Sequence, residues 1–256
     1  VETSKDGTTW KEVEDVQFTQ KLTVAVFRAE EVRGPLATEA ILCKGENFKN
    51  FLVGWNTGSS ILVKNLVKAD VPSDLMTASL RYKYETISDP SSPVKIYMWH
   101  DMNAYGQYVD TVYFGTEVPG ATIYTNPDAS QMFYGNNYSQ MCIAKIYDSA
   151  NPSTPYFFNT SKTTKFDNMF ASAHSSQYPT ASIPFDCTNG NGVSPFGLMD
   201  TSNVTNLSGM FRDTRNLDLT GIETWNTHQV TNVSNLFKNL RGKIPWGIGN
   251  WEFNNL

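Results

Sequence analysis

The sequence predicts an α+β, β-rich protein, in which an N-terminal antiparallel β-sandwich-like domain precedes a solenoid of units about 26 residues long. Three observations predict this class. Short strand-like runs fill the first half of the chain, a phrase recurs in the second half, and charged residues make up only 18% of the total. Surfaces of neutral polar residues are typical of secreted, strand-rich or solenoid proteins. We place the two domains at residues 1–117 and 118–256.

The N-terminal domain is predicted from short β-prone runs separated by turn signals. Asp6-Gly7 lies between two β-prone arms and favours a hairpin. The Pro- and Ser-rich residues 89–93 separate two later runs. Seven or eight short strands predict an antiparallel β-sandwich, and one hairpin with an irregular solenoid cap is the alternative. The runs after the hairpin are KLTVAVF, EAILCK, FLVGW, SSILVKNLV, ASLRYKYETI, PVKIYMW and YVDTVYFG.

The recurring phrase sets the period of the C-terminal domain. DTSNVTNLSGMF begins at Asp200, and NTHQVTNVSNLF begins 26 residues later at Asn226. A third copy, NTSKTTKFDNMF, begins at Asn159, which is 41 residues before Asp200. This longer spacing predicts an insertion around residues 171–199. A fainter fourth copy ends in ASQMF at Phe133.

The end of the chain repeats a second stretch. GIETWNTHQV, residues 221–230, aligns with GIGNWEFNNL, residues 247–256, at the same offset of 26. The sequence thus stops within a unit. We expect an array that is truncated at its C-terminus, continues in the parent protein, and has no cap over its last apolar face.

Each unit is predicted to contain one short strand and one short helix. Val204, Leu207, Met210 and Phe211 have the spacing i, i+3, i+6 and i+7, which predicts one face of a helix. The preceding NLDLTGIETW predicts a strand and a turn at Gly221. Because one strand and one helix cannot bury their apolar faces alone, neighbouring units must stack, as in a leucine-rich-repeat solenoid.

These phrases, with the preceding LDLTGIETW, resemble the BspA-like leucine-rich-repeat surface proteins. The resemblance covers about residues 122–256, and the interruption around residues 171–199 departs from the regular period. It implies a secreted or surface-anchored bacterial protein, or a similar protein of a parasitic protist or a phage. Family members are typically adhesins or have no assigned activity, so the resemblance implies no catalytic residues.

Composition argues against several classes of function. A net charge of −5 supplies no basic stripe, so we expect no nucleic-acid partner. No apolar run is long enough to span a bilayer. Cys43, Cys142 and Cys187 lack metal-ligand spacing, and His100-Asp101 would point to opposite faces of a strand. We therefore predict a protein that is not an enzyme and holds no cofactor or metal. A carbohydrate-active enzyme is a minor alternative.

Candidate binding residues are those that differ between copies of the recurring phrase and those that belong to a cluster of aromatic residues. Asp218, Thr220 and Glu223 flank the predicted strand and are candidates for a concave binding surface. Trp99 and Tyr105 belong to an aromatic cluster that is able to stack on sugars or anchor a protein, although a core position suits Trp99 equally well. The recurring Asn and Ser residues are interpreted as groups that satisfy backbone in tight turns.

We therefore predict a non-enzymatic protein of the extracellular space, cell surface or virion surface. It would adhere to a host or neighbouring-cell protein or glycan through an extended repeat surface. The alternative is a structural component of a surface or phage fibre. In that case the repeats would be a rigid spacer, and self-assembly would use the N-terminal domain.

Overall fold

A computed structural model describes residues 2–3, 11–12, 37–54, 63, 65–78, 80–102, 111–135, 145–172, 194–214, 217–254 and 256. The chain forms two compact units, Val1–Leu36 and Ala37–Leu256. In the first unit, strand β1 (Glu2–Thr3) pairs antiparallel with β2 (Lys11–Glu12). This pairing is what the turn signal at Asp6-Gly7 predicts, and the turn itself lies outside the described residues.

The second unit contains an open six-stranded sheet. Its strands are β4 (Asn65–Lys68), β5 (Tyr82–Thr86), β6 (Ile96–Asp101), β7 (Thr111–Thr116), β9 (Lys145–Asp148) and β10 (Asn151–Pro155). The order is β10-β9-β4-β7-β6-β5. The central strand β4 is parallel to both β7 and β9, and the outer pairs are antiparallel. A smaller parallel sheet joins β3 (Glu39–Ile41) to β8 (Thr122–Tyr124).

The predicted antiparallel β-sandwich is therefore wrong. Several predicted runs do form strands, but they lie in a mixed, open sheet that also takes in β9 and β10 from beyond residue 118. Parallel neighbours need long crossover connections, and nothing in the local sequence of β4 identifies its partners. Strand propensity was informative here, whereas pairing depended on the tertiary structure.

The run FLVGW was predicted as a strand, but its first four residues, 51–54, lie at the end of the helix α1, Gly45–Gly54. Trp55 lies outside the described residues. Phe48 and Leu52 are one helical turn apart and fully buried, which gives the helix an apolar face. Glu46 lies in its first turn, where the negative charge of a carboxylate interacts favourably with the helix dipole and stabilises the helix. Short apolar runs do not distinguish a strand from a buried helix, and burial of this face against the core decided between them.

The predicted leucine-rich-repeat solenoid is also wrong. In the described part of the chain, α1 is the only α-helix, the sheets are open, and the phrases form turns rather than helices. The run at Leu217–Leu219 is not a strand, and the 3₁₀ helix Ile222–Thr224 follows it. Two further 3₁₀ helices span Pro195–Leu198 and Trp246–Asn250.

Four turn segments, residues 128–135, 165–172, 206–214 and 232–240, lie side by side. Single parallel bridges join Asp128 to Lys165, Lys165 to Asn206, and Asn206 to Asn232. Left-handed backbone prevents them from becoming helices. Gln131, Asn168, Gly209 and Asn235 occupy equivalent positions, with φ of 60°, 53°, 61° and 58°. A residue in this conformation ends a right-handed helix, and Asn and Gly adopt it more readily than most residues.

The apolar residues that suggested a helix are buried by these turns. Leu207, Met210 and Phe211 are fully buried, as are Phe166, Met169 and Phe170 in the preceding segment. They join one core that runs from Ala40 in β3 to Leu236 in the last segment. A smaller cluster on the other face of the six-stranded sheet contains Leu75, Tyr82, Tyr97 and Trp99.

Candidate functional site

The predicted concave-surface residues close turns. Asp218 is exposed, and its Oδ1 accepts hydrogen bonds from the Thr220 amide at 3.0 Å and the Thr220 hydroxyl at 2.7 Å. Glu223 Oε2 accepts from the Gly221 amide at 2.7 Å. These oxygens satisfy local backbone donors, so they have fewer lone pairs to offer a ligand. The three side chains lie close together in sequence, but the bonds they make are internal.

Of the two aromatic candidates, Trp99 and Tyr105, the structure describes only Trp99. Trp99 is only 3% exposed and stacks on Tyr113, with ring centroids 6.0 Å apart. It belongs to the smaller core cluster and presents no face to a ligand. Its neighbours Ile96 and Met98 alternate into the main core, as strand periodicity requires. Tyr105 lies outside the described residues.

The recurring Asn residues support the turns, as interpreted from the sequence. Asn206 Oδ1 accepts from the Ser208 amide at 2.9 Å, and Asn232 Oδ1 accepts from the Ser234 amide at 3.0 Å. The Thr residues that begin the phrases are buried and bond to the next copy. Thr201 Oγ1 donates to the Asn226 carbonyl at 3.0 Å, and Thr227 Oγ1 donates to that of Glu252 at 2.8 Å.

The candidate site is an open groove beside the last turn segment. Its volume is about 480 Å³. Phe237, Trp251 and Phe253 supply aromatic surface, and all three are half-buried. The full lining is Val233, Asn235, Leu236, Phe237, Lys238, Ile248, Trp251 and Phe253. We call this the end groove. Apolar concavities with a few polar groups are the usual form of a binding site.

Phe237 in the end groove belongs to a stack of phenylalanine rings. Phe133, Phe170, Phe211 and Phe237 stack in sequence, with neighbouring ring centroids 5.4, 5.9 and 5.8 Å apart. Phe237 also lies 6.2 Å from Trp251, whose edge meets Phe253 at 6.1 Å. Among the described residues, Phe237 is the last ring of this stack, and it lines the end groove.

Lys238 lines the end groove and gives it a positive charge. The exposed Lys243 follows five residues later in the sequence and is not part of the lining. Glu252 precedes Phe253 in the sequence and is exposed, and its Oε2 lies 3.0 Å from His228 Nε2. A partner that carries hydrogen-bond acceptors or negative charge would suit this surface better than a cationic one.

The described residues contain no group of three or more His, Cys, Asp or Glu side chains that could hold a metal ion. Within the same residues, no helix has the length and apolarity that a membrane crossing requires. His100, considered above beside Asp101, is buried, and its Nδ1 lies 3.1 Å from the Asp101 carbonyl oxygen. Burial lowers the pKa of His100 and favours the neutral ring.

Comparison with known families gives a match in the C-terminal part of the chain. Residues 182–256 match the model of a family described as "Mycoplasma protein of unknown function, DUF285". The match covers less than half of the 256 residues and supports the BspA-like resemblance only loosely. Neither the curated proteins nor the solved structures gave a match.

None of the candidate residues chosen from the sequence is among those that line the end groove. The alignment of Trp251 with Trp225 marks the two rings as equivalent, but it identifies none of the residues that surround Trp251. Only the folded chain brings Trp251 beside Phe237 and Phe253 to form a concave surface.

Proposed function

We propose that this chain is a non-enzymatic binding protein of a cell or virion surface, and that it holds a macromolecular partner at the end groove. The observation that carries the proposal is the groove itself, with three half-buried aromatic side chains around about 480 Å³. Aromatic residues are enriched at binding hot spots because they offer large area at low entropic cost.

Composition also supports a surface protein, because a neutral polar composition is typical of secreted proteins. The BspA-like resemblance extends this to adhesion, with a host or neighbouring-cell protein or glycan as the partner. We favour a protein, because the groove is bordered by the backbone amides of Val233, Asn235, Phe237 and Asn239, which donate to no acceptor among the described residues.

The alternative role as a fibre component receives less support from the sheet edges. Edge strand β10 contains two prolines, Pro152 and Pro155, which cannot donate to an added strand. Edge strand β5 carries Lys83 and Glu85. Prolines and charges are the devices with which proteins prevent edge-to-edge assembly.

The test is a binding screen with the whole chain immobilised, against a glycan array and against extracts of surface proteins. Partners are then measured with two charge-reversal variants. Lys238→Glu lies in the groove, whereas Lys243→Glu is an exposed control outside it. We expect a protein partner whose affinity falls about tenfold or more with Lys238→Glu and stays unchanged with Lys243→Glu.

The absence of any partner tighter than about 1 mM would contradict the proposal. Equal loss with both variants would show a non-specific charge effect and would also contradict the site. Light scattering on the same samples separates the alternative, since growth of large particles without a partner would favour a fibre component.

A further inference from the structure

The hydrogen bonds between turn segments run in one direction. Amides of segment 206–214 donate to carbonyls of segment 232–240 at every second residue. The pairs are Leu207 to Asn232, Gly209 to Ser234, Phe211 to Leu236 and Asp213 to Lys238, at 2.9, 2.8, 3.0 and 2.8 Å. The same pattern joins segment 165–172 to segment 206–214, and segment 128–135 to segment 165–172.

The intervening amides are used within each segment. Met210 donates to the Leu207 carbonyl at 3.2 Å and Arg212 to that of Gly209 at 2.9 Å. Leu236 and Lys238 repeat these bonds in the last segment. Every second amide is thus reserved for a neighbouring segment, and this division is a consequence of the left-handed residues that close each turn.

The last segment has no such neighbour among the described residues. Its outward amides belong to Val233, Asn235, Phe237 and Asn239, which correspond to the four donors in segment 206–214. Within the described chain, none of the four donates to an acceptor. They border the end groove, which Val233, Asn235 and Phe237 also line. Unpaired backbone donors at regular spacing form a template for an added polypeptide.

We propose that the end groove binds a partner polypeptide that presents a further copy of the turn phrase. Such a segment brings carbonyls at every second residue to the four amides, and it brings a Phe ring to the open face of Phe237. Both features reproduce the interface between segments 206–214 and 232–240. This inference rests on the proposed function and specifies the chemistry of its partner.

A second copy of this chain does not supply that surface. If two end grooves met, the four outward amides of each would face those of the other, and donors would oppose donors. At the opposite end of the Phe stack, helix α1 already occupies the position beside Phe133. Phe48 meets the Phe133 ring edge-on at 5.9 Å. The start of the stack is thereby covered, so a second copy of this chain offers no open turn segment there.

The experiment uses the whole chain and a fluorescent peptide that copies residues 226–239, with a scrambled peptide and a peptide in which Ser replaces the final Phe as controls. Anisotropy measures binding, and amide hydrogen exchange of the protein locates it. We expect the copy peptide to bind with Kd between about 1 μM and 1 mM, and both controls to bind at least about tenfold more weakly. Exchange at Val233, Asn235, Phe237 and Asn239 should slow by about tenfold or more.

Two protein variants check the groove. Phe253→Arg places a long charged side chain in it, whereas Trp246→Arg changes a fully exposed residue outside its lining. We expect Phe253→Arg to abolish peptide binding and Trp246→Arg to leave it unchanged. Should Phe253→Arg fail to fold, the exchange pattern of the unmodified chain decides the matter.

Three results would overturn the inference. They are a copy peptide that does not bind, one that binds without protecting the four amides, and concentration-dependent self-association that protects the same amides. If the phrase peptide fails while a protein from the binding screen still depends on Lys238, the proposed function stands and only the identity of its partner is wrong. If neither binds, both proposals fail.

Discussion

The indole rings of Trp225 and Trp251 lie parallel, with centroids 6.1 Å apart and an angle of 4° between their planes. Each indole also donates a hydrogen bond to a carbonyl that lies 29 residues upstream. Trp225 Nε1 donates to Phe196 at 2.8 Å, and Trp251 Nε1 donates to Ile222 at 3.0 Å. Stacking and hydrogen bonding together fix both rings, although only Trp225 is fully buried.

Trp225→Phe should destabilise the protein by about 1 kcal/mol, because the Phe196 carbonyl would lose the indole donor and keep only the Met199 amide, at 3.2 Å. Urea unfolding followed by far-UV circular dichroism measures this change. Trp246→Phe is the matched control, since Trp246 is fully exposed, and its effect should stay within about 0.5 kcal/mol. Equal effects of the two substitutions would mean that the buried hydrogen bond contributes nothing.

Gly209→Ala should destabilise the protein by about 1–2 kcal/mol. Gly209 has φ of 61°, and a Cβ at this position would lie 2.5 Å from Asn168 Oδ1. Gly54→Ala is the control, because a Cβ there meets nothing within 4 Å at the end of α1. We expect the control to change stability by less than about 0.5 kcal/mol in the same unfolding assay. A harmless Gly209→Ala would argue against the left-handed turn.

Cys43 should be inert to thiol reagents at pH 8 in the folded protein. Burial raises its pKa from 9.0 to about 12, so the reactive thiolate is scarce. The measurement uses a Cys142→Ser/Cys187→Ser variant, in which Cys43 is the sole thiol. Labelling should be slow without urea and should accelerate as the protein unfolds. Because the folded pKa exceeds the unfolded one, this group favours folding below about pH 9, and its contribution is lost as the pH rises toward 12.

Asp148→Asn should reduce the acid sensitivity of the protein. Burial alone would raise the pKa of Asp148, but hydrogen bonds from Lys68, at 2.7 Å, and from the Ala150 amide, together with the Lys68 charge, lower it below 3.8. A lowered folded pKa stabilises the protein above the unfolded pKa, and this stability is lost as the pH falls through the folded value.

The wild-type chain should therefore lose stability on acidification below about pH 4 more steeply than Asp148→Asn does. At pH 7 the variant should be less stable by about 1 kcal/mol. Urea midpoints measured from pH 2 to 7 give both quantities. Asp70→Asn, at an exposed position, should follow the wild-type curve. Superimposable curves for wild type and Asp148→Asn would contradict the predicted role of the Lys68 pair.

Part of this architecture was predictable from local sequence. Strand runs around β5, β6 and β7 were located correctly, and the alternation of Tyr97 and Trp99 against Ile96 and Met98 placed them on opposite faces. The alignment that set Phe211 over Phe237 and Trp225 over Trp251 identified pairs of rings that stack in the folded chain. These features depend on residue spacing, which a sequence records directly.

The candidate binding residues were harder to predict. Asp218 and Glu223 are polar and lie where the copies differ, but their oxygens accept from backbone amides that become available only when the turns form. The end groove depends on residues from two stretches, 233–238 and 248–253, meeting in space. The sequence marked Trp251 as the equivalent of Trp225, but it could not show which neighbours would complete the cavity.

The sequence by itself determined which residues are apolar, at what spacing they recur, and which phrases correspond. The tertiary structure alone decided that the phrases are turns rather than helices, because the spacing of Val204, Leu207, Met210 and Phe211 suits both. Left-handed backbone at Asn168, Gly209 and Asn235 closes each turn and leaves alternate amides for a neighbour. Likewise, β4 acquired its partners β7 and β9 through long-range burial. Local preferences limit the conformations of a segment, and packing against distant residues selects among them.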